Sequence, residues 1–185
     1  MLGLPKINSV SGKLSKMRIL YDTTELDKLL TKRMWANEQC PYLDLIMYPD
    51  GKVFPLSMTE TNNLGIRVME SDSWTPISQL PNIDDTNNLN EGFAAIFSKE
   101  LPEINLKISC GECFSSGENG FISASRLSSG ELVWLAFFVA SNPFNSVDLS
   151  DDSIIARSTD ARIFSLALRN PSHVKIIPAE YIRPK

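Results

Sequence analysis

The chain has 185 residues, 43% of them apolar and 22% charged, a balance typical of a water-soluble globular protein with a core of its own. Its net charge is −4 and its sequence pI about 5.1. That argues against general affinity for nucleic acid or anionic membranes and favours a basic partner. Three cysteines are an odd number, and too few for a secreted disulfide framework.

Residues 1–18 carry Lys6, Lys13, Lys16 and Arg18 among serines and glycines, and read as a loosely held lead-in. Met1 to Lys16 shows no charged-then-apolar leader, so cytoplasmic residence is the expectation. Thr24, with Asp27 three residues on, is a capping pair that opens a helix through Leu26, Leu29, Leu30, Met34 and Trp35. These apolar positions share a face that Lys28, Lys32 and Arg33 avoid. The expectation is an N-terminal amphipathic helix laid on a sheet.

Two apolar runs, residues 42–48 and 53–56, flank Pro49-Asp50-Gly51-Lys52, which predicts a hairpin. Pro55 marks the second strand as an edge. Residues 64–69 form another short strand. From 70 to 90 the character changes: Ser, Asp, Asn and Pro surround Trp74, Ile77, Leu80 and Ile83 without a period. So long a connection is usually functional or disordered. Residues 93–97 (Phe-Ala-Ala-Ile-Phe) then predict one further short helix, ending before Pro102.

The remainder reads as a meander of strands at 104–110, 120–126, 131–140, 154–157, 163–168 and 174–177, with closely spaced turns that imply antiparallel pairing. The run at 131–140 is the longest apolar stretch and is apolar on both parities, as in a strand buried on both faces. Ser128-Ser129-Gly130 precedes it and Asn142-Pro143 ends its regular pairing. It is too short to span a bilayer. The predicted class is α+β: a single domain over 1–185, mostly antiparallel β-sheet, with an N-terminal amphipathic helix and one further short helix.

Candidate chemistry is sparse. Cys110-Gly111-Glu112-Cys113 is half of a zinc knuckle, and Cys40 with the sole histidine, His173, would complete a three-thiolate, one-imidazole set. However, Cys40 and His173 are far apart in sequence and bring no second close pair. The Cys-x-x-Cys also follows a strand, where no helix dipole lowers a thiol pKa. Buried, incidental thiols are the better reading. Asp84-Asp85 and Asp151-Asp152 lie in polar stretches and read as solvated turns. No nucleophile elbow or phosphate-cradling loop is present. The expectation is a protein that is not an enzyme and takes no cofactor or metal.

Charge patterning is more informative. Between Met58 and Glu118 there are ten acids and only three bases (Arg67, Lys99 and Lys107), so this stretch carries about −7 against −4 for the whole chain. An acidic middle around Trp74 has the composition of a docking surface for a cationic protein, in which acids steer and a desolvated aromatic anchors. The competing reading is a solvated acidic loop with Trp74 plugging the edge of the core.

The C-terminal third has a recognisable pattern. Val133-Trp134-Leu135-Ala136-Phe137-Phe138 leads to Ser141-Asn142-Pro143-Phe144. Ile154-Ile155-Ala156 comes next, then Arg169-Asn170-Pro171 ahead of Val174-Lys175-Ile176. This resembles immunity proteins of bacterial polymorphic toxin systems, including those of contact-dependent growth inhibition. The resemblance implies a cytoplasmic, non-catalytic protein that binds one cognate toxin domain, often a nuclease, and masks its active site or substrate groove. Neither nucleic acid nor membrane is an expected partner. No family motif carries the contact residues across. The candidates therefore come from the acidic stretch alone: Glu70, Asp72, Trp74, Asp84, Asp85 and Glu91. The alternatives are a zinc- or thiol-dependent protein built on Cys110 and Cys113, and a non-catalytic assembly subunit.

Overall fold

The computed structural model describes residues 22–60, 65–85, 88–114 and 117–178; the lead-in at 1–18 lies outside them. The first described element is α1 (Glu25–Ala36). The Thr24 backbone N–H donates to the Asp27 carboxylate at 2.8 Å, and the Asp27 N–H donates back to the Thr24 hydroxyl at 3.3 Å. This reciprocal cap satisfies two of the donors that every helix start leaves open. The buried face is not the expected one. Asp27, Thr31 and Met34 face inward, while Leu26 and Leu29 are 57% and 63% exposed. The cause lies in Asp27, which also accepts the backbone N–H of Ser78 at 3.0 Å. Turning that carboxylate inward rolls Leu26 and Leu29 out to solvent.

Short 3-10 turns aside, the remaining regular structure among the described residues is antiparallel sheet. Seven strands form one sheet in the order β6 (Thr75–Pro76), β3 (Lys52–Pro55), β2 (Leu45–Met47), β11 (Leu132–Phe138), β10 (Gly120–Arg126), β9 (Leu106–Cys113) and β8 (Phe93–Leu101). Six form a second: β12 (Phe144–Ser150), β13 (Ser153–Ser158), β14 (Ile163–Ala167), β15 (His173–Ile177), β5 (Arg67–Glu70) and β4 (Ser57–Glu60). A short ribbon pairs β1 (Gln39–Pro41) with β7 (Leu89–Glu91).

β11 is the central strand of the seven, as its two-sided apolarity implies. Trp134, Ala136 and Phe138 join the core between the two sheets, and Leu135 and Phe137 join a second core on the α1 side. The layers are thus helix and loops, seven-stranded sheet, six-stranded sheet. In the inter-sheet core, Phe138, Phe144 and Phe164 pack as a ring triad with centroids 4.9–5.8 Å apart. Such edge and tilted pairs add about 0.5–1.5 kcal/mol each beyond the area they bury.

The hairpin at 45–55 forms as expected. Gly51 has φ +86° and packs so closely under α1 that a Cβ there would lie 2.4 Å from that of Asp27. Three expectations need correction. The predicted second helix at 93–97 is the start of β8, an edge strand with a bulge between Ala95 and Phe97. A bulge breaks the alternation that reveals strands in sequence. Pro55 is not on an edge strand, because β6 lies outside β3; Pro55 pairs with Leu45 of β2, and β6 pairs only with Lys52 and Val53, so no β6 residue lies opposite it. The meander is split between two sheets rather than forming one. Pairing of the run does end ahead of Asn142-Pro143, at Phe138; Asn142 takes φ 57°, the chain crosses to the other sheet, and β12 begins at Phe144.

Candidate functional site

The candidate residues occupy the part of the acidic stretch that leaves the six-stranded sheet at Glu70 and reaches the ribbon at Glu91. Between them it is a strap across the α1-side core. Thr75 and Pro76 pair with β3, residues 77–79 make a 3-10 turn, and Ile77 and Leu80 are buried at 0% and 7% exposure. The strap is therefore in part structural, its apolar side chains closing a core and its acids pointing away. Glu70, Asp72, Asp84, Asp85 and Glu91 are all exposed.

These candidates do not converge on one point. Glu70 sits across from His173 on β15, its carboxylate 3.4 Å from the imidazole Nδ1. Glu91 accepts the Gln39 side-chain amide at 2.8 Å on the ribbon. Asp85 accepts the Asn88 amide at 3.2 Å, and Asp84 lies in the same turn. Trp74 is half-buried just before β6, with the Lys52 ammonium 5.4 Å from its ring centroid. One face of the indole is thus already covered by a cation that is itself paired with Asp50 at 2.6 Å. Trp74 serves as an edge plug more than as an open anchor.

The zinc-site alternative fails on geometry. Strand alternation puts Cys110 and Cys113 on opposite faces of β9: Cys110 in the inter-sheet core, Cys113 in the α1-side core. His173 is exposed on the six-stranded sheet. The thiol that meets Cys113 is Cys40 of β1, within hydrogen-bonding reach and fully buried beside Asn90. Cys113 N–H donates to Asn119 Oδ1 at 3.2 Å, and the Asn119 amide donates to Asn90 at 3.3 Å. Burial, then the neighbouring Cys113, pushes the Cys40 thiol well up, and burial pushes Cys110 up to about 12. Both thiols are held protonated, the reverse of what thiolate chemistry or metal binding needs. Among the described residues, no group of three His, Cys, Asp or Glu side chains is placed to hold a metal ion.

A feature that the sequence reading passed over lies on the other side of α1. A cavity of about 570 Å³ opens between the helix and the turn that joins β10 to β11, with Trp35, Thr31, Lys32 and Arg126 among its lining residues. Its signal in sequence was faint, since Lys32 and Arg126 are 94 positions apart and only folding joins them. Comparison with known protein families, curated proteins and solved structures finds no match to this chain. The chemistry must therefore be read from the residues themselves. The acidic strap can steer a cation toward the surface without burying a charge. The cavity offers cations, an aromatic wall and a hydroxyl. Among the described residues no helix is long and apolar enough to cross a membrane.

Proposed function

We propose that this protein is a non-catalytic binding protein that neutralises a basic protein partner, in the manner of the immunity proteins its C-terminal third resembles. The observation that carries the reading is the strap. Five carboxylates (Glu70, Asp72, Asp84, Asp85 and Glu91) stay exposed while its apolar residues Ile77 and Leu80 anchor it to a packed core. Charges on a rigid support are pre-organised, so little ordering entropy is lost when a partner docks. The partner in this reading is the cationic C-terminal domain of a toxin, a basic nuclease, and inhibition is masking: carboxylates stand where the phosphates of its nucleic-acid substrate would lie.

The test is co-expression with the C-terminal domain of the large protein encoded next to this gene. Restored growth and a complex that survives gel filtration are the expected results. Unrelieved toxicity, or a neighbour that is a metabolic enzyme, would refute the reading.

A further inference from the structure

The cavity beside α1 has the parts of a ligand site. Its wall is the Trp35 indole with Leu132 and Val133. The indole N–H donates to the carbonyl of Gly130 at 3.0 Å, which ties the helix to the β10–β11 turn and fixes the ring as a rigid surface. Three cations line the opening: Lys28, Lys32 and Arg126. Lys28 is held by Glu25 at 2.6 Å, and the lining carboxylate of Glu131 accepts the Ser129 hydroxyl at 3.1 Å. Among the described residues, neither Lys32 nor Arg126 has a carboxylate within ion-pairing distance. In a chain of net charge −4, two uncommitted cations facing one cavity are a local reversal of sign.

A second observation is independent of charge. Thr31 is fully buried, lines the cavity, and its hydroxyl has no hydrogen-bond partner. A helical threonine ordinarily bonds back to the carbonyl one turn earlier, and a buried hydroxyl left unpaired is destabilising. A polar group entering the cavity would satisfy it.

We infer that this cavity binds a small organic anion. Its carboxylate or phosphate lies between Lys32 and Arg126, its apolar or aromatic body rests on Trp35, and a polar atom reaches the Thr31 hydroxyl. Arg126 supplies a planar fork for the anion and Lys32 a mobile point charge. The inference does not depend on the strap, since none of its residues lines this cavity.

Titrations of the full-length protein with indole-3-acetate, phenyl phosphate, inorganic phosphate and the neutral indole-3-acetamide, followed through the Trp35 indole N–H resonance, test it. Saturable shifts are expected with one or both aromatic anions, the arm that saturates first telling carboxylate from phosphate. The neutral amide should bind at least tenfold more weakly, as should inorganic phosphate, which has no body to stack. Lys32→Ala with Arg126→Ala should lower affinity for the anions at least tenfold, Thr31→Val severalfold, and the distant Lys99→Ala not at all. Thermal melts show that each variant folds. Absence of a saturable shift with either aromatic anion, or affinity unchanged in the Lys32/Arg126 double variant, would overturn the inference.

Discussion

The indole nitrogen of Trp134 donates to the backbone carbonyl of Leu168 at 2.9 Å, a buried hydrogen bond from the central strand of one sheet to the end of a strand in the other. Trp134 thus contributes twice, by filling the inter-sheet core and by satisfying a carbonyl just beyond β14 that no solvent reaches. Trp134→Ala is expected to destabilise by about 3–5 kcal/mol as a core truncation. Trp134→Phe keeps an aromatic ring but abandons the Leu168 carbonyl, and about 1–3 kcal/mol is expected from that alone. Urea melts check both; a Phe variant as stable as the parent would show that the bond contributes nothing.

Asp27 links helix cap, hairpin and strap. Burial raises its pKa, but hydrogen bonds from Ser78 and Thr24 more than reverse this and hold it at about 2, below the ordinary 3.8. A carboxyl whose folded pKa is depressed contributes stability fully present above its unfolded pKa, near 4, and lost as the pH falls through about 2. Asp27→Ala is expected to cost about 1–3 kcal/mol at pH 7, because it removes a cap and strands the Ser78 N–H. Its penalty should shrink steadily between pH 4 and pH 2. A penalty independent of pH would mean that packing rather than charge holds this corner.

For the strap, Asp72, Asp84 and Asp85 replaced together by Asn should slow association with the cationic partner and flatten its salt dependence. The melting temperature should hardly move, because all three side chains are exposed. Stopped-flow rates at low and high salt give the answer. Rates identical to the parent's would place the contact surface elsewhere.

The thiols allow a fourth test. Iodoacetamide at pH 8 should leave all three cysteines of the native protein unmodified, and label three only after denaturation, since each is buried. Diamide, a two-electron thiol oxidant that a thiolate must first attack, should for the same reason leave the folded protein without a disulfide. A Cys110–Cys113 disulfide recovered from folded protein, mapped by peptide mass, would contradict their placement on opposite faces of β9.

Much of this architecture was legible in the chain, for reasons specific to each element. The run at 131–140 betrays a doubly buried strand because no parity is polar, and Thr24 with Asp27 marks the helix start because a capping box is local chemistry. What misled was non-local. Leu26 and Leu29 look like a core-facing stripe until Asp27 is claimed by Ser78, 51 residues on. The bulge between Ala95 and Phe97 spoils the period of β8 and imitates a helix. β12 hides because it alternates Ser, Asp and Asn with only Phe144, Val147 and Leu149. The acids of the strap were visible as composition, but their separation between Glu70 and Glu91 was not. The cavity cations were invisible, because nothing local joins Lys32 to Arg126.

The six-stranded sheet draws β4 and β5 from early in the chain and pairs β5 with β15, so Arg67–Glu70 must wait for His173–Ile177. About a hundred residues separate them, roughly 5–20 s of synthesis at ribosomal speed. During that interval the β4–β5 hairpin has one side unmated, open to pairing with another nascent copy. Production at high expression rates should therefore favour misassembly on the ribosome, and slower translation or a lower temperature should raise the yield of properly formed molecules.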